Sequence, residues 1–290
     1  MGAGWSGPYV NRIRAAAILW GDKKVKTHPI GPANMTQRPR YHRVMVPSIA
    51  PDDAALLAEQ VAYYRARAGE YDEWWVRTGR YDRGAALNAQ WLAETDAVEA
   101  ALDAFLRERT PQRVLEFACG TGLFTRRLAA LAPRIVAVDA SPEVIAINRA
   151  RCAGLPAEIE YVEGDIFDFR ATERFDLVFF SFWLSHVPDT CFARFWQQVR
   201  DCLAPGGAAY LIDSARDQTS TARDHVLPGT DASVMTRRLN DGREFRIVKL
   251  FHRPDELSSR LAALGYAAAI AQTPRYFIHG SASPRKQEGR

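Results

Sequence analysis

The sequence predicts an α/β fold. We expect a seven-stranded, mostly parallel sheet with helices on both faces, a helical N-terminal cap and an inserted hairpin or lid before the sixth strand. Apolar strand candidates alternate with helical segments from Val114 to Ile212, a pattern typical of parallel sheets covered on both sides. A turn with two glycines, Gly120 and Gly122, follows the first strand. Further along, Asn240-Asp241-Gly242 is a hairpin-turn signal.

Composition favours an ordinary globular protein, with 47% hydrophobic and 25% charged residues in 290. The net charge of +4 divides into +7 over residues 1–43 and −3 over the rest, so the predicted fold is mildly acidic and gives no sign of binding nucleic acid. The four cysteines have no paired spacing and no nearby histidine cluster, which indicates neither a disulfide framework nor a metal site. The N-terminal apolar run 15–20 is too short for a membrane span. We expect a cytoplasmic protein without a membrane partner.

The chain divides into several predicted parts. Residues 1–46 are rich in Gly, Pro and Arg and are expected to be disordered or a non-native leader. The remaining predicted parts are a helical cap (47–110), the α/β domain (111–280) with an inserted substrate lid (214–243), and a disordered tail (281–290).

Two helices are predicted in the cap. Pro51 followed by two aspartates marks a helix start, and Leu57, Val61 and Tyr64 follow at helical spacing. A second amphipathic helix is predicted from about Leu87 to Arg109.

The alternating region supplies the sheet and its covering helices. The strand candidates are Val114–Phe117, Ile135–Val138, Ile159–Glu163, Leu177–Ser181 and Ala208–Ile212. The helical candidates are Gly122–Leu131, Pro142–Ala150, a short Ala171–Arg174 and Phe192–Leu203. After a polar stretch we expect a hairpin of Val234–Leu239 and Phe245–Phe251, a helix Pro254–Leu264 and a last strand near Tyr276–Ile278.

The segment from Val114 to Gly122 carries the strongest functional signal. Glycines at 120 and 122 let a ligand approach the backbone closely. A dinucleotide-binding fingerprint would have a third glycine where this chain has Thr125. The carboxylate of Glu116 would repel a pyrophosphate but suits a cationic ligand. Asp139, at the end of the second strand, is placed to accept hydrogen bonds from ribose hydroxyls.

These segments resemble the motifs of the class I, Rossmann-like S-adenosylmethionine-dependent methyltransferases of the small-molecule type. The matching segments, in order, are Val114–Gly122, Val138–Ser141, Gly164–Asp168, Phe175–Ser181 and Leu203–Gly207. The resemblance covers about residues 111–213 and implies S-adenosylmethionine as the cofactor.

The resemblance also implies roles for individual residues. Glu116 and the backbone of Gly120 and Gly122 would hold the methionine part, Asp139 the ribose, and Asp165 and Ile166 the adenine. Tyr64 or Tyr71 would close over the cofactor, whose sulfonium is stabilised by aromatic faces and carboxylates. Ala118, Ala140 and Ser181 complete the expected cofactor site.

The loop after the fourth strand indicates a small-molecule acceptor. It lacks the Asn/Asp-Pro-Pro-aromatic segment of adenine and amide N-methyltransferases, the Pro-Cys pair of cytosine C5 enzymes and the two glutamates of arginine methyltransferases. His186 in this loop is the candidate general base, because an alcohol must lose a proton around the moment of methyl transfer. Alternatively, His186 caps the next helix or lines the adenine pocket. His225 is a second candidate base or substrate contact, and Asp213 would orient either histidine or bind a hydroxyl.

The insertion carries several arginines that could bind a carboxylate or phosphate of the substrate. They are Arg216, Arg223, Arg237, Arg238 and Arg243. A solvated, charged hairpin accounts for them equally well.

The sequence therefore predicts an S-adenosylmethionine-dependent methyltransferase that O-methylates a hydroxyl of a small molecule such as a sugar, polyketide or quinone-like ring. We expect a monomer or homodimer without a metal. The alternatives are an NAD(P)-dependent oxidoreductase and a non-catalytic S-adenosylmethionine-binding module.

Overall fold

The structure, a computed structural model, describes residues 50–230 and 232–285. The expectation for residues 1–46 therefore lies outside the described residues. The predicted boundary of a tail at residue 281 is wrong, because the last strand continues to Pro284 and pairs with its neighbour there. None of the helices within the described ranges is long and apolar enough to cross a membrane.

Seven α-helices and nine strands make up the described chain. The helices are α1 (Pro51–Arg67), α2 (Tyr71–Val76), α3 (Ala85–Arg109), α4 (Thr125–Leu128), α5 (Pro142–Arg151), α6 (Phe192–Cys202) and α7 (Pro254–Ala263). The strands are β1 (Arg113–Phe117), β2 (Arg134–Asp139), β3 (Glu158–Glu163), β4 (Phe175–Ser181), β5 (Leu203–Ser214), β6 (Val234–Arg238), β7 (Glu244–Val248), β8 (Tyr266–Gln272) and β9 (Phe277–Pro284).

The predicted seven-stranded, mostly parallel sheet is confirmed. Its strand order is β3-β2-β1-β4-β5-β9-β8. The first five strands in this order run parallel, and β9 is antiparallel to both β5 and β8. The order reverses direction between β1 and β4, and ligands of open α/β sheets bind at the carboxyl ends of the strands beside such a point.

Alternate residues of the central strands face two separate cores. Leu115 and Phe117 of β1 pack with α6 and α7 on one face, and Val114 packs with α3 on the other. Central strands buried on both faces read as continuous apolar runs, which is why β1 and β4 were visible in the sequence. Both cores are well filled with aromatic side chains, among them Trp91 and Trp196, which have no exposed surface.

The predicted hairpin is confirmed and forms a sheet of its own, in which β6 pairs with β7. Three other elements differ from the prediction. The main sheet contains a strand that was not predicted, β8, whose sequence is dominated by alanine, a residue with low strand propensity. The helix predicted over 122–131 shortens to the single turn of α4, and residues 171–174 contain no helix.

Helix α1 packs on the β6–β7 hairpin. Tyr63 forms a small buried cluster with Met235, Leu239 and Ile247 of the hairpin region. The side chain of Gln60 accepts a hydrogen bond from the Val248 N–H at 3.0 Å. The cap helix and the inserted hairpin are thereby joined into one layer.

Candidate active site

A cavity lies at the carboxyl ends of β1, β2 and β4 and encloses about 800 Å³ including its mouth. Ten of the residues that line it were expected from the sequence to belong to the site. They are Tyr64, Tyr71, Ala118, Gly120, Asp139, Ala140, Asp165, Ile166, Ser181 and His186. The motifs on separate strands thus converge on one site, as parallel topology requires.

The loop after β1 presents its backbone to this cavity. Ala118 and Gly120 both have φ of +52°, a left-handed conformation in which alanine is strained. Asn148 of α5 holds the loop from behind, donating to the carbonyls of Cys119 and Gly120, each at 3.2 Å. Asn148 was not recognised in the sequence, because a single asparagine on a helix carries no motif.

Asp139 at the end of β2 faces the same cavity. Its carboxylate accepts hydrogen bonds from the N–H groups of Gly120 at 2.9 Å and Ser141 at 3.0 Å. Burial raises the pKa of Asp139 to about 6, and these backbone hydrogen bonds counter the effect. A carboxylate fixed in this way can also accept hydrogen bonds from a pair of neighbouring hydroxyls.

Glu116 and Gly122 do not line the cavity, contrary to the sequence-based expectation. Glu116 is 1% exposed and accepts a hydrogen bond from the Thr125 hydroxyl at 2.6 Å, so its side chain lies beneath the loop. Burial raises its pKa to about 8. Gly122 packs against α5, where an added Cβ would lie 2.6 Å from the side-chain oxygen of Asn148. Both residues support the loop from below.

Residues of the N-terminal cap form part of the wall of the cavity. Leu57, Gln60 and Val61 of α1 line it together with the two predicted tyrosines. Asp72, beside Tyr71, accepts a hydrogen bond from the Thr121 hydroxyl at 2.6 Å and pairs with Arg151. This contact ties the cap directly to the glycine loop.

His186 lines the cavity and is buried, with 4% of its surface exposed. Its Nδ1 lies 2.7 Å from the Val248 carbonyl, which can only accept, so Nδ1 carries the proton. Its Nε2 then accepts from the Tyr64 hydroxyl at 2.8 Å. Burial, together with the charge of Lys249, lowers the pKa of His186 well below its usual value. The imidazole is therefore neutral, with both nitrogens engaged.

A second, smaller cavity of about 440 Å³ adjoins the first. The two cavities share Tyr64, Tyr71, Phe182 and His186 as a common wall. Phe182 has φ of +52°, a strained conformation that directs the chain away from β4 at this junction. We call the two spaces the outer cavity and the inner cavity.

Asp213 lies behind the inner cavity and does not line it. Its two carboxylate oxygens accept from the N–H groups of Ser185 at 2.8 Å and Ser214 at 2.7 Å. Among the described residues, Asp213 pairs with Lys249, whose Nζ lies 4.0 Å away and donates to the Ser185 hydroxyl at 2.8 Å. Asp213 is thus placed to position Lys249 rather than either histidine.

His225 lines neither cavity, so the structure does not bring it to the site as a base. Its Nε2 accepts from the Arg238 N–H at 2.9 Å, and its ring contacts Arg80 and Arg237. Burial, together with the charges of these arginines, lowers its pKa to about 3. His225 is therefore a neutral residue that connects the hairpin to the cap through hydrogen bonds.

The arginines of the insertion separate into two groups. Arg237 lines the inner cavity, whereas Arg216, Arg223, Arg238 and Arg243 do not. Arg67 and Lys249, which also line the inner cavity, were not recognised in the sequence. They lie far apart along the chain and belong to no motif, so only the folded structure brings them together.

Comparison with known proteins places these features in a family. Residues 114–207 match the family model described as a methyltransferase domain. A ubiquinone biosynthesis O-methyltransferase of Xanthomonas oryzae is 31% identical over 193 residues, which span 66% of this chain and 74% of the relative. Nodulation protein S of Bradyrhizobium diazoefficiens is 27% identical, over 72% of this chain and 95% of the relative.

Solved structures agree with this placement. A complex of DhpI with SAH is 34% identical, with a TM-score of 0.61, over 81% of this chain and 99% of the other. A complex of DhpI with SAM and HEP is 36% identical, with a TM-score of 0.60, over 79% and 98% of the two chains.

Proposed function

This chain belongs to the class I S-adenosylmethionine-dependent methyltransferases, and we propose that it transfers the methyl group to an oxygen atom of a small molecule held in the inner cavity. The observation that supports the proposal is the wall shared by the two cavities, because a molecule in the inner cavity would lie directly beside a cofactor in the outer one. When bound, S-adenosylmethionine supplies an electrophilic methyl group on a sulfonium.

We propose that the outer cavity holds this cofactor. Asp139 would accept hydrogen bonds from the ribose hydroxyls, while Ile166 and Phe167 would pack on the adenine and Asp165 would bind its amine. The backbone at Ala118 and Gly120 would face the methionine part, with Tyr64 and Tyr71 closing over it. Glu116 and Gly122 would act through the loop that they support.

The size of the inner cavity favours a small acceptor. Its volume of about 440 Å³ includes the opening to solvent and is at the lower end of the range for small-ligand pockets. Its walls come from α1, from the segment after β5 and from the ends of β6 and β7. Trp74 donates to the Ser220 carbonyl at 2.8 Å, which fixes the segment after β5 against the cap. We propose that residues 215–248 together cover the acceptor. This lid extends further along the chain than the lid of residues 214–243 expected from the sequence.

Two arguments favour oxygen as the methylated atom. The relative from Xanthomonas oryzae is an O-methyltransferase by name. In addition, the inner cavity is lined by cations rather than by a free carboxylate that would attract a protonated amine. The sequence predicted His186 as a base for a hydroxyl. Since both of its nitrogens are engaged, the geometry favours an oxygen that attacks without that base.

Ligand titration and product analysis test this function. We expect S-adenosylmethionine and S-adenosylhomocysteine to bind the purified protein in isothermal titration and NAD not to bind. We also expect methyl-labelled S-adenosylmethionine to label an oxygen of the accepted molecule, identified by mass spectrometry and NMR. A product methylated on nitrogen or carbon would contradict the proposal. Binding of the cofactor without any transfer to a broad set of small oxygen compounds would favour the non-catalytic alternative.

A further inference from the structure

Three cationic side chains line the inner cavity. Arg67 comes from α1, Arg237 from β6 and Lys249 from the residue after β7. The three side chains line the same 440 Å³ space although they come from separate parts of the chain. Convergence of three cations from three elements on one cavity needs a physical reason, because like charges repel.

Arg67 and Lys249 are buried, Arg237 is partly buried, and both arginines are incompletely paired. Arg67 is 7% exposed and Lys249 is 4% exposed. Arg67 donates to the Tyr81 hydroxyl at 3.0 Å and stacks 4.7 Å from the centre of the Tyr71 ring, but its Nε has no hydrogen-bond partner within the described ranges. The Nε of Arg237 also lacks a partner there, although its Nη1 contacts Thr221 and His225. Burying charge without a counter-ion is costly.

The carboxylates nearby do not balance this charge. Asp213 lies 4.0 Å from Lys249 and receives two backbone hydrogen bonds. Glu70 is close enough to Arg67 for their charges to interact, but its carboxylate is bound to the Asn240 N–H at 3.0 Å. Within residues 50–230 and 232–285, no carboxylate forms an ion pair with Arg67 or Arg237. The cavity therefore keeps an excess of positive charge.

The same cations stand close to the wall where methyl transfer would occur. The charges of Lys249, Arg237 and Arg67 all contribute to lowering the pKa of His186, which lines both cavities. They also act on each other, and burial with the two arginine charges lowers the pKa of Lys249 to about 8 while Asp213 counters it. A negative ligand at this wall would relieve that repulsion.

We propose that the acceptor is an anion whose phosphoryl or carboxylate group contacts Arg67, Arg237 and Lys249, and that an ionised oxygen of this group receives the methyl. This inference rests on the proposed function. A lone pair of the oxyanion forms the O–CH₃ bond as the C–S⁺ bond breaks, and its electrons remain on sulfur. The sulfonium becomes a neutral thioether and the acceptor loses one negative charge. No proton leaves, so the engaged His186 is no obstacle.

Three acceptors of similar size test the proposal in the complex with S-adenosylhomocysteine: ethylphosphonate, propionate and propan-1-ol. Isothermal titration should show at least one anion binding about tenfold or more tightly than the alcohol, since charge-assisted hydrogen bonds are the strong ones. With labelled S-adenosylmethionine, a phosphonate methyl ester would be seen by phosphorus NMR and a carboxylate ester by its release in base. These two readouts distinguish the phosphoryl source of the charge from the carboxylate source.

Variants locate the binding site. Arg67→Met and Lys249→Met should each weaken anion binding by about tenfold or more while retaining S-adenosylhomocysteine affinity, which also shows that the variants are folded. Lys249→Arg should retain part of the anion affinity. Arg243→Met is the matched control, because this hairpin arginine is 57% exposed in its side chain, pairs with Asp241 and lines neither cavity.

The outcomes are separable from those of the proposed function. Equal binding of the alcohol and both anions, including no detectable binding of any, would overturn the inference, as would anion affinity unchanged in Arg67→Met and Lys249→Met. An anion that binds but is not methylated would overturn the assignment of its oxygen as nucleophile. Failure of the wild-type protein to bind S-adenosylhomocysteine would instead count against the proposed function.

Discussion

The outer and inner cavities differ both in origin and in charge. The outer cavity is built largely from short segments after β1, β2, β3 and β4, and it contains the carboxylates of Asp139 and Asp165. The inner cavity is built from α1, the segment after β5 and the hairpin, and it contains Arg67, Arg237 and Lys249. Carboxylates in the outer cavity and cations in the inner cavity are therefore separated by the aromatic and histidine wall that the two cavities share.

This difference shows how one fold separates a general task from a specific one. Residues at the ends of parallel strands are fixed by the sheet, so a cofactor site built there is constant in geometry. An acceptor site built from inserted and N-terminal segments can change without disturbing the sheet.

The largest effect is expected from Asp139→Ala. The substitution removes the carboxylate that we propose binds the ribose hydroxyls, together with the hydrogen bonds from Gly120 and Ser141. We expect affinity for S-adenosylhomocysteine to fall by on the order of a hundredfold or more, from two lost charge-assisted bonds. Isothermal titration measures the change. Lys249→Met is the control from the inner cavity, and equal loss of cofactor affinity in both variants would contradict the division into two sites.

An intermediate effect is expected at the shared wall. His186→Asn retains a donor for the Val248 carbonyl, and Tyr64→Phe removes the hydroxyl bound to His186. If these residues only position each other, kcat should fall less than about tenfold in each variant, and the double variant should be no worse than the poorer single one. A general base contributes about a hundredfold or more. A hundredfold loss in His186→Asn, with an altered pH profile of kcat, would restore the sequence-based assignment of His186 as base.

The smallest effect is expected from Glu116→Gln. With a pKa of about 8, the buried carboxyl of Glu116 is largely protonated at neutral pH, and glutamine has nearly the same shape. Affinity for S-adenosylmethionine should therefore stay within about twofold at pH 7. Cofactor affinity lost at pH 7 would instead support direct binding of the methionine part by Glu116.

The same variant has a predictable pH dependence. Folding raises the pKa of Glu116 from its usual value of 4.5 to about 8, so its contribution to stability is fully present below pH 4.5 and is lost as pH rises from there to about 8. The melting temperature of the wild type should therefore fall over this pH range, and that of Glu116→Gln should fall less. Parallel curves for the two proteins between pH 5 and 9 would show that Glu116 does not carry the raised pKa.

Much of the fold and of the outer cavity could be predicted because the signals are local. The apolar runs of β1 and β4, the two glycines and the strand-end Asp139 are each visible within a few residues. Strand β8 was missed because its alanines show neither strand propensity nor alternation of polar and apolar residues.

The inner cavity could not be predicted in the same way. Arg67 and Lys249 are separated by more than 180 positions in the sequence and meet only because α1 packs on the hairpin. Glu116 was expected to bind the methionine part of the cofactor because it belongs to the motif of the glycine loop. In β1, however, alternate side chains point to opposite faces of the sheet. Its neighbour Phe117 enters one core, and Glu116 turns toward Thr125.

The packing of α1 on the hairpin has a consequence for protein engineering. Tyr63 is buried against Met235 and Ile247, and Gln60 bonds the backbone at Val248, so these two distant stretches are complementary halves of one unit. A chimera that exchanges acceptor preference with a relative must transplant both stretches together. If only one of the two stretches were exchanged, α1 and the hairpin would no longer pack together and the inner cavity would open. The segments at the strand ends would not need to be changed.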